Sequence, residues 1–227
     1  MTDAAKGKKG EFCEGCPAGG SSAGCSQLTY RPTTVSPDQW IEGDPESPIW
    51  IIGLNPKTPK NPDVELNLSS DQLRNDFSRR ANDVSYFRDF SRVSLKLFGA
   101  LGREKGVAHT DIVKCDSTEW PPKGVRSDDV MVIERSCANY LESQIRAHKP
   151  KLLICNGSSV STYIKALLKR QDRPNDEAET FFESDKYGYP MQVILSGFIG
   201  RIDNYSKRRL GKEIEQRIGE LKIMLSA

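Results

Sequence analysis

Cysteine, asparagine and aspartate are the residues of this chain whose placement suggests chemistry. Its six cysteines fall at 13, 16, 25, 115, 137 and 155. Cys13 and Cys16 form a C-x-x-C pair, which offers two thiolates from one tight turn. Cys115 closes the apolar segment "VAHTDIVKC", and Cys137 lies on the apolar row of a helical pattern. Four thiolates from separate segments suit a zinc ion or a [4Fe–4S] cluster. The alternative for Cys137 and Cys155 is that of small core hydrophobes, and Cys155, inside "LLICNG", is read that way. Cys25 stays open as a spare thiol or a substitute ligand. Asp111 stands four residues before Cys115 in "AHTDIVKC". A carboxylate there has no packing role, so it either caps a turn or points into a site.

The elements that position these residues follow from periodicity and punctuation. The 227 residues, 37% hydrophobic, are enough for one sizeable core and favour one domain. With Lys+Arg 33 and Asp+Glu 31, the net charge of +2 neither demands nucleic acid nor excludes it, and DNA binding would need a local basic face. The chain has no apolar run of about 18 residues and no secretory h-region, which implies a cytoplasmic protein without a membrane partner. In that compartment cysteines are metal ligands or buried thiols rather than disulfides.

Residues 1–11 are polar and expected to be disordered, leaving 12–227 as one domain. Ile49 to Ile52 is a buried strand ending in the turn "GLNP". The polar stretch 57–85 reads as an insertion or working loop. Phe90, Val93, Leu97 and Leu101 have helical spacing, with Gly102 as the stop. "VAHTDIVKC" is a second strand. Next comes a helix whose inward row is Ile133, Cys137, Leu141 and Ile145. "KLLICNG" is a third strand, Ser158 to Leu168 a helix, 170–189 a charged loop, "MQVILSGF" a fourth strand, and "SKRRLGKEIEQRIGELKIML" an amphipathic helix. Alternating strands and helices predict an α/β fold with a mostly parallel four-stranded sheet. Ligands in such folds sit beyond the carboxyl ends of the strands, which makes "GLNP", "TDIVKC", "CNGSS" and "SGFIG" candidate walls.

The order of these pieces resembles the iron–sulfur uracil-DNA glycosylases, the family 4 branch of the uracil-DNA glycosylase superfamily. The resemblance runs from about Phe12 to Leu168 and rests on "VKC", then a helical Cys followed by "YL", "QI" and "KPKLLICNG". It implies a three-layer α/β/α sandwich and a [4Fe–4S] cluster held by Cys13, Cys16, Cys115 and Cys137, with zinc as the alternative. The gap between the last two ligands is longer here than is usual in the family. At the first wall the chain has Gly53, Leu54, Asn55 and Pro56, closer to the G-I-N-P-G of the mismatch-specific glycosylases than to G-E-A-P-G.

By that resemblance Asn55 places the attacking water, with Leu54 beside it in the base site. An amide can orient water by accepting a hydrogen bond, and cleavage with positive charge growing on the sugar needs little base strength. The alternative is that Asn-Pro only turns the chain. A flipped base needs an aromatic face, and Phe87, next to Tyr86, is the expected stacking residue; a core aromatic is the alternative. The family's "T-N-x-V-K-C" has an asparagine that reads uracil, where this chain has Asp111. An ionised carboxylate accepts from the exocyclic amine of a cytosine-like base, and a protonated one could also donate to N3. Excision of ordinary cytosine would destroy the cell's own genome, so a modified cytosine, as in some phage DNA, becomes the expected target, with a role in defence.

The family's last motif histidine is absent from "VILSGFIGRIDNYSKRR". Ser196, a backbone N–H, Arg201 or Asn204 could replace it. Phe198 and Ile199 are candidates for an apolar wedge, and Lys207, Arg208 and Arg209 for phosphate contacts; a solvated helix start is the alternative for that cluster. His148 is expected to be exposed, and His109 to share a strand face with Asp111. The resemblance thus implies a monomeric, monofunctional DNA glycosylase acting on a modified cytosine. The alternatives are uracil excision in repair, a catalytically inactive nucleic-acid-binding module with a metal staple, and a nucleoside hydrolase acting without DNA.

Overall fold

The computed structural model describes residues 35–56, 69–115, 117, 119–168 and 179–225. Cys13, Cys16, Cys25 and the segments 1–11, 57–68 and 169–178 lie outside the described residues. The chain divides into two compact units, the first comprising Met1–Trp40, Leu54–Leu73 and Asp111–Gln144, the second Ile41–Gly53, Arg74–Thr110 and Ile145–Ala227.

The strands are β1 (Ile49–Gly53), β2 (Val107–Asp111), β3 (Leu152–Asn156), β4 (Phe181–Ser184) and β5 (Met191–Ser196), in the sheet order β2-β1-β3-β5-β4. All belong to the second unit except Asp111, the last residue of β2. β1, β2 and β3 are buried at every position, as expected of strands covered on both faces. β1 runs parallel to β3, pairing Ile51 with Ile154, and β3 runs parallel to β5, pairing Ile154 with Ile194. β4 is antiparallel to β5. The sheet is therefore five-stranded and mostly parallel, not four-stranded. The added strand comes from within 170–189, the stretch read as a loop. "FFES" is short, and only two of its four residues are buried, so its period is too brief to stand out from the charged sequence around it.

The helices among the described residues are α1 (Ser70–Asn75), α2 (Phe77–Asp83), α3 (Ser85–Arg88), α4 (Leu95–Gly99), α5 (Ser127–His148), α6 (Ser158–Leu168) and α7 (Asn204–Glu220). α1 and α2 correct the reading of 57–85 as one long loop. Leu73, Phe77 and Ala81 recur every fourth residue and are all buried, a stripe narrow enough to pass as a polar segment. The single helix expected across Phe90–Leu101 is broken into α3, a 3-10 turn (Asp89–Arg92) and α4. Ser94 begins α4 by accepting the Leu97 N–H, and its own hydroxyl donates to Glu215 at 2.7 Å. Gly102 is not the stop itself: α4 ends at Gly99 with Ala100 as its C-cap, and Gly102, with φ +71°, lies in the turn before β2, where its N–H donates to Val107 O at 2.9 Å.

The core of the second unit gathers Ile49, Ile51, Phe77, Phe87, Phe90, Leu97, Ile154, Ile194, Ile214 and their neighbours. In the first unit Val35, Trp40 and Leu73 form a smaller cluster. On α5, Ile133, Cys137, Leu141 and Ile145 are all buried, as their spacing predicts. No helix among the described residues is long and apolar enough to cross a membrane.

Candidate functional site

In the first unit, the chain leaving β1 and the chain leaving β2 are laced together. The Val113 N–H donates to Leu54 O at 2.9 Å, and the Ser117 N–H to Pro56 O at 3.3 Å. Asn55 is 8% exposed and donates through Nδ2 to Pro56 O at 2.8 Å and to Ser117 Oγ at 3.0 Å. A carbonyl oxygen only accepts, so the atom facing Pro56 must be the NH2 group and the amide has one assignment. Oδ1 is then the hydrogen-bonding atom of Asn55 that remains for another group. Leu54 is half-buried beside it.

Asp111 is 4% exposed, in the same unit as Asn55. Near it is Lys114, itself buried, whose Nζ donates to Gln144 Oε1 at 2.9 Å. Gln144 in turn donates to the carbonyls of Pro37 and Trp40, at 3.2 and 3.0 Å. Burial pushes the Lys114 ammonium down to about 8, against the upward pull of Asp111, Cys137 and Asp38. Asp111 is thus a buried carboxyl group with a cation for a neighbour.

Cys115 and Cys137 are both buried in this unit, and Cys137 is close enough for its charge to act on Lys114. Thiolates are the ligands an iron–sulfur cluster takes, and the other two expected ligands lie outside the described residues. Among the described residues, no group of three or more His, Cys, Asp or Glu side chains is placed to hold a metal. Cys155 is a core thiol, and burial pushes its pKa up.

The second unit holds the remaining expected residues. Phe87 is 5% exposed and edge-on to Phe77, Tyr86 and His109, with ring centroids 4.9, 4.8 and 5.0 Å away. That is the position of a core aromatic. Tyr86 is the half-exposed ring of the pair, and it stacks on Phe198 at 6.0 Å and 28°. Phe198 is 37% exposed, whereas Ile199 is buried and its N–H donates to Asn156 Oδ1 at 2.9 Å. Of the two wedge candidates, only Phe198 presents a surface. The Ser196 hydroxyl faces two carbonyls, Cys155 O at 2.7 Å and Gly197 O at 3.0 Å, so its proton is engaged within the unit. Arg201, Arg208 and Arg209 are exposed, but Lys207 is buried and donates to Asp89 at 3.1 Å. His148 is half-buried and bonded to Glu46 at 2.7 Å, not free in solvent.

Two groupings had no signal in the sequence. Glu42 pairs with His109 Nδ1 at 2.7 Å and with Arg80 at 2.8 Å, while Tyr86 OH lies 3.4 Å from His109 Nε2. The other is Ser117, 62 residues from Asn55 and bonded to it. His109 alone was visible beforehand, through its two-residue spacing from Asp111. No protein-family model matches this chain, and a search of curated proteins finds no match.

Proposed function

We propose that this chain is a monofunctional DNA glycosylase with the three-layer architecture of the uracil-DNA glycosylases, removing a modified cytosine and leaving an abasic site. The observation that carries the reading is the bonding of the "GLNP" and "TDIVKC" exits within one unit. There a buried amide with its acceptor oxygen left over stands in the same compact unit as a buried carboxylate. Asn55 Oδ1 accepts a hydrogen bond from water and aims its lone pair at C1′ of the flipped nucleotide. The water oxygen bonds to C1′ as the C1′–N1 bond breaks. The electron pair leaves on the base, and protons are exchanged with solvent. Positive charge on the sugar lets so weak a base suffice.

Asp111 reads the base. As a carboxylate it accepts from an exocyclic amine, which cytosine-type bases have and uracil lacks. Cys115 and Cys137, with Cys13 and Cys16, would hold a [4Fe–4S] cluster. When bound, the cluster supplies a covalent staple for the N-terminal segment and no bond-breaking chemistry. The proposed partner is DNA, bound by a cytoplasmic monomer.

The test uses labelled single- and double-stranded oligonucleotides carrying one uracil, cytosine, 5-hydroxymethylcytosine or glucosylated 5-hydroxymethylcytosine, read by alkali-induced strand cleavage. The expected result is cleavage at a modified cytosine, none at uracil, and loss of cleavage in Asn55→Ala. Cleavage at uracil alone would return the enzyme to ordinary repair. Abasic sites on none of the strands would end the glycosylase reading.

A further inference from the structure

We propose that Ser117 is a positioning residue that locks the orientation of the Asn55 amide through a one-way hydrogen-bond relay. The inference rests on the reading of Asn55 as the water-placing group and names the device that aims it.

The relay runs from Asn55 Nδ2 to Ser117 Oγ at 3.0 Å and from Ser117 Oγ to Glu119 O at 2.6 Å. Its direction is fixed at both ends. At one end Nδ2 also donates to Pro56 O, which only accepts, so the amide cannot flip. At the other end Glu119 O only accepts, so the Ser117 proton must point there and its lone pair must face Asn55. The middle hydroxyl therefore cannot reverse. Ser117 is itself held by its N–H on Pro56 O at 3.3 Å. At 2% and 8% exposure, Ser117 and Asn55 leave solvent little room to replace either bond.

The consequence is rotational. The terminal torsion of asparagine is intrinsically broad and two-fold. One bond to Pro56 would leave the amide plane free to rock, whereas two bonds in different directions fix the plane and with it Oδ1. Placement of a nucleophile within a fraction of an ångström governs the rate, while binding of DNA does not depend on it.

The experiment has two arms on the full chain. In the first, the Asn55 side-chain NH2 pair is followed in 15N-resolved NMR spectra, assigned by its loss in Asn55→Ala. In the second, single-turnover excision and DNA affinity are measured on the best substrate. Ser117→Ala is expected to shift the Asn55 pair and speed its hydrogen exchange. It should also slow excision about 10- to 100-fold with DNA affinity changed less than about 2-fold. Ser117→Thr, which keeps the hydroxyl, is expected to restore both readouts. If Ser117→Ala fails to fold, Ser117→Cys replaces it, being nearly isosteric with a far weaker hydrogen-bonding group. Unchanged Asn55 resonances and an unchanged excision rate in the Ala or Cys variant would overturn the relay. A wild-type protein that excises nothing would overturn the glycosylase reading alone, because the NMR arm still decides the relay.

Discussion

Glu42 shows how much of this chain's polar chemistry is held by single residues. Burial alone would raise its carboxyl pKa. The hydrogen bond from His109 and the charges of Arg80 and His109 outweigh that and hold the carboxyl below its usual 4.5. A carboxylate with a depressed folded-state pKa stabilises the fold above the unfolded value of about 4.3, and that stability is lost as pH falls through the lower folded value. Glu42→Gln leaves Arg80 facing a neutral amide in a buried place, which is expected to cost about 3 kcal/mol at pH 7. It also removes this titration, so the loss of stability below about pH 4.5 should be shallower than in the wild type. Urea unfolding between neutral pH and pH 3 measures both. Parallel curves for the two proteins would show that Glu42 is not the group whose protonation weakens the fold. At this scale the sequence was legible only where a residue stands out of place in its own segment, as Asp111 does after an apolar strand and Asn55 before a proline. Ser117 and Glu42 act through partners 62 and 67 positions away, and nothing near them in sequence marks the pairing.

At the scale of elements, legibility followed the number of apolar repeats. α5 and α6 carry sustained 3.6-residue rows, and their buried faces are the ones that spacing predicts. β1 and β3 are built on continuous apolar runs, and β5 on the run Val193–Leu195, so they could hardly be mistaken. α1 and α2 share three apolar residues, and β4 has two buried positions, so each fell below what a pattern can resolve. The row Phe90, Val93, Leu97 and Leu101 is buried as its spacing predicts, but it does not form one helix. Burial of a common side persists across the break that Ser94 makes. Packing also overrides propensity inside α7. Helix propensity makes Gly→Ala worth about 1 kcal/mol in favour of the helix. At Gly211, however, a Cβ would lie 1.9 Å from Val93 O, a main-chain atom that cannot swing aside. Gly211→Ala is therefore expected to destabilise by about 2 kcal/mol or more. Gly219, eight residues on in the same helix, has nothing within 4 Å of its Cβ position, and Gly219→Ala should stabilise by about 0.5–1 kcal/mol. Thermal melts of the two variants check the pair. A stabilised Gly211→Ala would mean that α7 does not seat against Val93 as described.

For the whole molecule, the near balance of 33 basic and 31 acidic residues means that no global field draws the chain to a phosphate backbone. On the proposed reading, affinity for DNA would come from a few cations exposed to face it. The run Lys207, Arg208, Arg209 looks uniform in sequence, but α7 divides it. Lys207 turns inward to Asp89, while Arg208 and Arg209 stay exposed. Asp203 fixes the start of α7 by accepting the N–H groups of Tyr205 and Ser206, so this division is set by the helix and not by chance rotamers. Each neutralised phosphate contributes about 0.9 to the slope of log binding constant against log salt concentration. Replacing both Arg208 and Arg209 by alanine is expected to reduce that slope by up to about 1.8 and to leave the melting temperature within a degree or so, as surface changes usually do. Lys207→Ala should do the reverse, lowering the melting temperature because Asp89 loses its buried ion-pair partner and keeps the exposed Arg92, with little change in slope. Fluorescence anisotropy of a labelled duplex across a salt series, with a melt of each variant, separates the two. A double arginine variant with the wild-type slope would remove this end of α7 from the proposed DNA-binding face, and Arg201 would be the next cation to test.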